Sequence, residues 1–275
     1  MFCDVALAGR IERAEADLVA RASRAARHRL GDPAGFVISV AGGIASFAEE
    51  GSPFNKVAGL GFSGVPSAGA LEEIEDAFAV LGSPVQIELA HLGDPQIGKV
   101  LTERGYLLIG FENVLGVALA FEPGRIAPSG IEVRASGDDQ FEAWLRLITE
   151  GFSRPDTQGV PSHEEFPREV IERAERDAAA AGATRYIALR GGELAGAASL
   201  RLADGVAQLT GAATVPAHRR RGVQGALLSA RLAVAAAAGC DIAVITTQPG
   251  SKSQQNAQRR GFDLLYTRAI LAKHR

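Results

Sequence analysis

The sequence has few of the features that mark secreted or membrane proteins. Only two cysteines occur in 275 residues, Cys3 and Cys240, towards opposite ends of the chain. A disulfide framework is therefore not expected, and a reducing cytoplasm is the simplest setting. No apolar run approaches the roughly 18–20 residues that a membrane span needs. The start, MFCDVALAGRIERAEAD, has no basic leader of the kind that opens a signal peptide. We expect a cytoplasmic protein without a membrane segment.

An excess of positive charge and clustered metal ligands are also missing. The net charge is −3 and the pI is about 6.0, so a general nucleic-acid-binding surface is not expected and any anion site must be local. The five histidines never occur at i, i+4 or beside a cysteine pair, so no zinc site is predicted. Apolar residues make up 47% of the chain. That proportion is enough for one large domain or two of ordinary size.

Hydrophobic periodicity predicts alternating helices and strands along the whole chain. The stretch FEPGRIAPSG at 121–130 interrupts this alternation with two prolines and two glycines, which is typical of a domain boundary. We therefore predict a first domain at 1–123, a linker at 124–130 and a second domain at 131–275.

The two predicted domains repeat one pattern. VPSAGALEEIEDAFAVLG, from residue 65, parallels VPAHRRRGVQGALLSARL from residue 215, and GYLLIGFENVL at 105–115 parallels GFDLLYTRAIL at 261–271. The offsets of 150 and 156 residues are about one domain length and indicate a duplicated α/β unit. The copies differ at one point. The second has three consecutive arginines where the first has small residues followed by Glu72 and Glu73.

The arginine run has the chemistry of an anion site. It lies between a predicted strand and a predicted helix, and the first turn of a helix carries unpaired N–H groups and a partial positive charge. Gly222 lets the backbone approach a bulky phosphate, and arginine supplies paired N–H donors. A pyrophosphate-binding turn is therefore predicted in the second domain only, because Glu72 and Glu73 would repel phosphate in the first. The alternative is a basic loop that merely begins a helix in solvent.

A second pattern, GDPQIGKV at 93–100, has the spacing of a nucleotide-binding phosphate loop. It ends in Val100 where a metal-binding Ser or Thr is required, and Asp94 would face the phosphates. Nucleotide binding is therefore not predicted at this stretch.

The arginine run resembles the hallmark of the GNAT superfamily of N-acetyltransferases, Arg/Gln-x-x-Gly-x-Gly/Ala between a strand and a helix. In this chain TVPAH precedes the motif Arg219-Arg220-Arg221-Gly222-Val223-Gln224, and RRGF follows about 40 residues later. Gln224 stands where the family usually has a small residue, although Gly225 and Ala226 follow directly. The resemblance extends from about residue 131 to the end and, weakly, over the first domain.

This resemblance implies an α/β (α+β) fold of two tandem GNAT-like domains, each a mixed, mostly antiparallel twisted sheet flanked by helices, with a degenerate first copy. It also implies acetyl-CoA as co-substrate and no metal. In the family, backbone amides of the turn bind the pyrophosphate, and the preceding strand pairs with the pantetheine arm. The implied cofactor-binding residues are Ala213, Thr214, Val215, Arg220, Arg221, Gly222, Val223, Gln224, Gly225, Ala226 and Asn256.

The resemblance does not extend to the usual catalytic groups. The strand VAQLTGAAT has no carboxylate where many relatives have a glutamate base, and Ala257 stands where relatives have a tyrosine acid. The remaining candidates are His163 and Glu164, which lie with Glu165 in the loop where the family builds its acceptor pocket, and Tyr266 on the last strand. The alternative for His163 and Glu164 is that they belong to an exposed acidic loop without a catalytic role. The alternative for Tyr266 is that it packs within the fold as an ordinary strand residue.

The expected function is transfer of acetyl from acetyl-CoA to a primary amine of a small molecule, by direct attack in a ternary complex. The alternative is a non-catalytic sensor or structural protein that holds CoA esters without turnover. The expected partner is a small-molecule amine, with neither nucleic acid nor membrane, and the expected state is a monomer or homodimer.

Overall fold

A computed structural model of the chain describes residues 1–31, 35–119, 130–153, 160 and 166–274. The described residues up to 119, here the first half, form α1 (Val5–Leu30), β1 (Phe36–Val40), β2 (Gly43–Phe47), β3 (Lys56–Ala58), α2 (Ala68–Val80), β4 (Val85–Ala90), α3 (Gln96–Glu103) and β5 (Leu107–Ala118). Those from 130 onwards, the second half, form β6 (Ile131–Ala135), α4 (Phe141–Ser153), α5 (Arg168–Ala180), β7 (Thr184–Arg190), β8 (Glu193–Ala203), β9 (Val206–Gln208), β10 (Ala212–Thr214), α6 (Val223–Ala237), β11 (Ile242–Thr247), α7 (Lys252–Gln258) and β12 (Asp263–Lys273).

The repeat predicted from the sequence appears in the order of these elements. From β1 to β5 the first half runs through three strands, a helix, a strand, a helix and a strand. The second half follows the same order from β7 to β12, except that its third strand is divided into β9 and β10. The stretch VAQLTGAATV, expected as one strand, is therefore interrupted at residues 209–211. The chain adopts the expected tandem α/β architecture.

Helix α1 illustrates how local sequence defines an element. The Asp4 side chain accepts a hydrogen bond from Leu7 N at 2.8 Å, and Gly31 ends the helix with φ 62°. Its apolar line is buried against the sheet, as the helical spacing predicts; the line consists of Ile11, Ala14, Leu18 and Ala22. No described helix is both long and apolar enough to span a bilayer.

The two halves share one continuous sheet because they exchange their last strands. The strand order is β1-β2-β3-β4-β12-β5-β11-β9-β8-β7-β6, and β10 pairs with β8. Strand β12, from the second half, lies antiparallel between β4 and β5 of the first half. Strand β5, from the first half, in turn lies beside β11 of the second. Each half therefore lacks a strand that the other supplies.

The apolar side chains gather in clusters between the helices and this sheet. One apolar cluster lies between α6 and strands β7 to β9, and a second lies around α2 and α3, where Phe36 and Phe78 meet edge to face with ring centroids 5.1 Å apart. A third joins α1 to the exchanged strands and contains Ile11, Val114 and Tyr266. The boundary between the halves therefore contains an apolar cluster of its own.

Candidate functional site

The sheet of the second half opens between β10 and β11. Strand β9 pairs in parallel with β11 over residues 206–208 and 242–244, and Leu209 N donates one further bond to Val244 O at 2.9 Å. Beyond this point β11 continues to Thr247 beside β5, whereas β10 pairs only with β8 among the described strands. The strands therefore separate where β9 ends, and the space between β10 and β11 is called the cleft below.

A β-bulge creates this divergence. Arg201 lies opposite Gln208, but Ser199 N donates to both Thr210 O, at 3.3 Å, and Gly211 O, at 2.9 Å. Arg231 of α6 reaches the same point, and its Nη1 donates to Ser199 O at 2.7 Å and to Thr210 O at 3.2 Å. Burial lowers the pKa of Arg231 to about 10, so the guanidinium stays charged at neutral pH. A buried cation thus holds the bulge that opens the sheet.

One edge of β10 faces the cleft with unpaired backbone groups. Val215 N donates to Ala195 O at 3.0 Å, which makes the two residues a hydrogen-bonded pair of the antiparallel ladder. Because such pairs alternate, the backbone groups of Ala213 and Val215 point at β8. Those of Ala212 and Thr214 point the other way. Thr214, which was predicted to bind the cofactor, therefore presents its N–H and C=O groups to an extended ligand. Ala212, which was not predicted, does the same.

The arginine run makes a tight turn at the end of this strand. Arg220 and Gly222 both adopt the left-handed conformation, with φ of 61° and 84°. A non-glycine residue in that region is strained, and such strain concentrates at functional sites. The side chains of Arg220 and Arg221 are exposed. The turn directs the chain from β10 into α6, which starts at Val223.

The N-terminus of α6 is open to a ligand. Ala226 N donates to Gly222 O at 2.9 Å as the first bond of the helix, so the N–H groups of Val223, Gln224 and Gly225 precede it without an intrahelical acceptor. Gly222 is the N-cap residue, and no described side chain caps the helix. Unpaired donors and the positive end of the helix dipole make this turn a site for an anion.

Helix α7 and the turn that follows it each contribute one further side chain at this turn. Asn256 Nδ2 donates to Gln224 Oε1 at 2.7 Å, so the predicted residue Asn256 meets the helix start through Gln224. The guanidinium of Arg260 lies where a β-carbon on residue 225 would be. The sequence analysis missed Arg260 as a site residue, although it belongs to the RRGF stretch and could have been suspected from the repeated arginines. Gly225 leaves room for this cation, and a larger residue there would require the Arg260 side chain to move.

The equivalent turn in the first half is closed. The Ser67 side chain caps α2 by accepting a hydrogen bond from Ala70 N at 3.2 Å. At the glycine-lysine pattern 93–100, Asp94 Oδ1 accepts from Gln96 N at 2.9 Å and α3 begins at Gln96. Gly98 and Lys99 therefore lie inside a helix instead of in a loop. Both helix starts are occupied by the chain's own side chains.

Tyr266 lies in a buried polar network between α1 and the sheet. It is 1% exposed, and its hydroxyl donates to Glu12 Oε1 at 2.6 Å. Burial raises the pKa of Tyr266 well above its usual value. Arg268 Nε donates to the same Glu12 oxygen at 2.7 Å, and Nη1 lies 3.4 Å from a Glu88 oxygen. Tyr266 is thus a packed strand residue in this structure.

The other catalytic candidates, His163 and Glu164, and their neighbour Glu165 lie outside the described residues. The same holds for the predicted linker except Gly130. Among the described residues, no group of three or more His, Cys, Asp or Glu side chains is arranged to hold a metal ion.

A carboxyl group that the sequence analysis did not single out lies beside the bulge. A β-carbon added at Gly211 would lie 2.9 Å from Glu175 Oε1 of α5 and 3.2 Å from Ser199 Oγ. Glu175 lies more than 30 residues before the turn in sequence, and only the packing of α5 on the sheet brings it to the cleft.

Comparisons with known proteins agree with this geometry. Residues 141–262 match the family described as the Acetyltransferase (GNAT) family. Two similar solved structures are a GCN5-related N-acetyltransferase from Kribbella flavida and a tandem GNAT protein from the clavulanic acid biosynthesis pathway. The first has a TM-score of 0.65 at 18% identity over 92% of this chain and 95% of that chain. The second has a TM-score of 0.59 at 12% identity over 98% of this chain and 96% of that chain.

No curated protein matches the chain. At these identities the two solved structures establish the fold, and the family match covers the elements from α4 to the end of α7. Residues 141–262 are therefore a domain of the acetyltransferase (GNAT) family, and the chain as a whole has the fold of a tandem GNAT protein.

Proposed function

We propose that this protein is an N-acetyltransferase that moves acetyl from acetyl-CoA to a primary amine of a small molecule, by direct attack in a ternary complex. The open start of α6 at the end of a strand with one unpaired edge carries the proposal. A ligand with phosphate groups and an extended, amide-containing arm is complementary to both features. Its phosphates match the open start of α6, and its arm matches the unpaired strand edge. We expect the protein to act in the cytoplasm as a monomer or homodimer.

The binding roles follow from the polar groups of the cleft. The N–H groups of residues 223–225 receive the pyrophosphate, with Arg220 and Arg221 as exposed guanidinium donors beside them. Thr214 and Ala212 hydrogen-bond to the pantetheine arm along the free edge of β10. The remaining predicted residues shape this path or meet the helix start; they are Ala213, Val215, Gly222, Ala226 and Asn256.

We propose that the two predicted domains, 1–123 and 131–275 joined by a linker at 124–130, have different roles in binding. The second copy holds acetyl-CoA. The first copy, whose corresponding helix is capped by Ser67, binds no pyrophosphate and forms one wall of the acceptor cleft.

The reaction joins the acceptor nitrogen to the thioester carbonyl carbon and breaks the carbon–sulfur bond. Holding both reactants in one cleft removes much of the entropic cost of a bimolecular step. An alkyl ammonium group has a pKa of about 10 in water, so it must lose one proton before the attack. A second proton leaves the nitrogen as CoA departs, and the departing thiolate can accept it.

Turnover distinguishes this proposal from the sensor. We would measure release of free CoA with panels of polyamines, amino acids, aminoglycosides and peptide N-termini, alongside thermal stabilisation by acetyl-CoA. Release above the hydrolysis rate with at least one amine supports the enzyme. Stabilisation by acetyl-CoA without release from any amine instead supports a non-catalytic CoA-ester sensor.

The pyrophosphate turn is tested by charge reversal. The double variant Arg220→Glu/Arg221→Glu should bind acetyl-CoA at least about 100-fold more weakly, because two charge-assisted contacts become repulsive. The matched control is Arg13→Glu/Arg24→Glu, which changes the net charge equally on exposed positions of α1. Titration calorimetry gives both affinities. Equal affinity in the two double variants would remove this turn from the proposed site.

A further inference from the structure

Glu175 occupies the space that a side chain at residue 211 would take. Its Oε1 lies 2.9 Å from the position of a β-carbon on Gly211, the residue directly before the free edge of β10. Ser199 Oγ and Thr210 Oγ1 lie 2.9 Å apart on the same bulge. Three side-chain oxygens therefore gather where the cleft begins.

This carboxyl group has no partner among the described residues. No hydrogen bond or ion pair from them reaches Glu175, although its helix neighbours Glu172 and Arg176 pair with Arg168 and Glu142. Glu175 as a whole residue is half-buried, whereas its carboxyl group is enclosed by protein. A buried carboxylate that serves the fold is ordinarily held by donors, so this one has acceptor positions that no described residue uses.

The charged groups on the surrounding elements are bonded elsewhere. Arg201 of β8 binds Asp17 and Gln208, and Glu15 of α1 accepts from Gln208 at 3.0 Å. Arg231 of α6 is held by the bulge carbonyls. Glu150 of α4 also has an interaction of its own. No cation of the described chain is therefore placed to neutralise Glu175.

Because the Glu175 carboxyl group is enclosed and has no partner among the described residues, it is a weaker acid than an exposed glutamate. Desolvation raises the pKa of Glu175 from 4.5 to about 7. A group with a pKa near the working pH is both a sufficient base and largely ionised when the substrate arrives. The same desolvation strengthens the attraction between the carboxylate and an incoming cation.

We propose that Glu175 receives the ammonium group of the acceptor in the cleft and takes the proton that the amine must lose before it attacks. This inference rests on the proposed function and names the catalytic base for it. The hydroxyl groups of Ser199 and Thr210 are the neighbouring acceptors for the remaining N–H groups. Gly211 leaves room for this carboxyl group, since a β-carbon there would lie 2.9 Å from Glu175 Oε1.

Protons and bonds balance in this scheme. The Glu175 carboxylate takes one proton from R–NH₃⁺, and the neutral amine forms the C–N bond while the C–S bond breaks. The proton then on the nitrogen goes to the departing thiolate, and protonated Glu175 returns its proton to solvent. The products are the amide, CoA as thiol and one proton.

The variant Glu175→Gln keeps the side-chain shape but cannot accept the proton. With the amine of the panel that reacts fastest, we expect kcat/KM at pH 8 to fall at least about 100-fold, while acetyl-CoA still stabilises the protein as in the wild type. The wild-type kcat/KM should rise with pH through a midpoint of about 7, and the variant should lack this rise. Glu169→Gln, on an exposed position of the same helix, is the matched control and should resemble the wild type.

A stability measurement distinguishes a base from a structural carboxylate. A folded-state pKa raised from 4.5 to about 7 means that ionisation destabilises the fold as pH rises through this range. Glu175→Gln should therefore melt at a higher temperature than the wild type at pH 8, and the difference should shrink towards pH 4.5. A variant that melts lower at pH 8 contradicts the assignment.

The two proposals fail in different ways. If the wild type acetylates an amine and Glu175→Gln keeps its rate and its rise near pH 7, Glu175 is not the base but acetyl transfer stands. If the wild type binds acetyl-CoA and acetylates no amine, the proposed function fails, and this assignment fails with it.

Discussion

At the scale of single residues, the site combines groups that are unfavourable for the fold. Arg220 adopts a left-handed conformation, Arg231 is a buried cation bonded to carbonyls, and Glu175 is a carboxyl group without a donor among the described residues. Each of these lowers stability and is tolerated where binding or chemistry benefits. Arg231 and Glu175 both lie at the bulge between β9 and β10, and Arg220 lies in the turn that follows β10.

Tyr266 contrasts with these residues because its polar group is satisfied. We expect Tyr266→Phe to lower the free energy of unfolding by about 1–2 kcal/mol, since Glu12 loses a hydrogen-bond donor in a buried site. Turnover with the fastest amine should stay within about twofold of the wild type, because the hydroxyl already donates to Glu12. Urea unfolding and CoA release measure the two effects. A stable variant that binds acetyl-CoA but has lost turnover would instead identify Tyr266 as the proton donor.

At the scale of elements, the two copies differ in how a helix begins. Helix α2 starts with a serine that caps its own backbone, whereas α6 starts with a left-handed glycine and no cap. The first arrangement stabilises the helix, and the second leaves donors for a ligand. The two copies therefore share this helix but differ at its N-terminus, which is capped in α2 and open to a ligand in α6.

The contact between α6 and the turn after α7 gives a prediction at this scale. We expect the Arg260 guanidinium, which lies beside Gly225 at the start of α6, to make one charge-assisted contact with the pyrophosphate. Gly225→Ala should displace this guanidinium, so Gly225→Ala and Arg260→Ala should each weaken acetyl-CoA binding by about 3–10-fold. The double variant should be no weaker than either single variant, because both remove one interaction. Titration calorimetry of all four proteins completes the cycle.

The control for this cycle is Arg259→Ala, which removes a neighbouring exposed arginine. It should bind acetyl-CoA as the wild type does. Additive losses in the double variant would show that Gly225 and Arg260 act separately.

At the scale of the whole molecule, strand exchange makes the halves dependent on each other. Strand β12 pairs with β4 and β5, and β11 depends on β5 for one of its neighbours. The Arg268 network adds charge pairing to this exchange, because Glu12, Glu88 and Glu112 all belong to the first half. The chain is therefore a tandem protein whose two copies form one sheet.

This dependence predicts how the protein responds to being cut. With a protease site placed within 124–130, the two fragments should stay together after cleavage and elute as one species on size-exclusion chromatography. Fragment 131–275 expressed alone should fail to fold, because β12 would lack both of its neighbours and expose apolar edges. A folded, monomeric 131–275 fragment would contradict the exchange.

Much of the architecture is encoded locally and could be predicted. The repeat, the order of helices and strands, and the glycine turn all depend on periodicity and capping within short stretches. The apolar stretch YLLIGFENVLGVALA predicts a long strand or a hairpin, and its residues 107–118 form the single strand β5. VAQLTGAATV was expected as one strand, and the bulge that divides it depends on Arg231 from a helix that begins later in the chain.

The sequence by itself determined that the second copy, and not the first, has an arginine-glycine turn opening a helix, because N-terminal donors and left-handed glycines are properties of neighbouring residues. Only the tertiary structure decided which strands are exchanged, where the sheet opens and which distant side chains, Glu175 and Arg260, meet the cleft. The physical reason is that strand pairing and desolvation depend on residues far apart in the chain, and hydrophobic periodicity does not specify those partners.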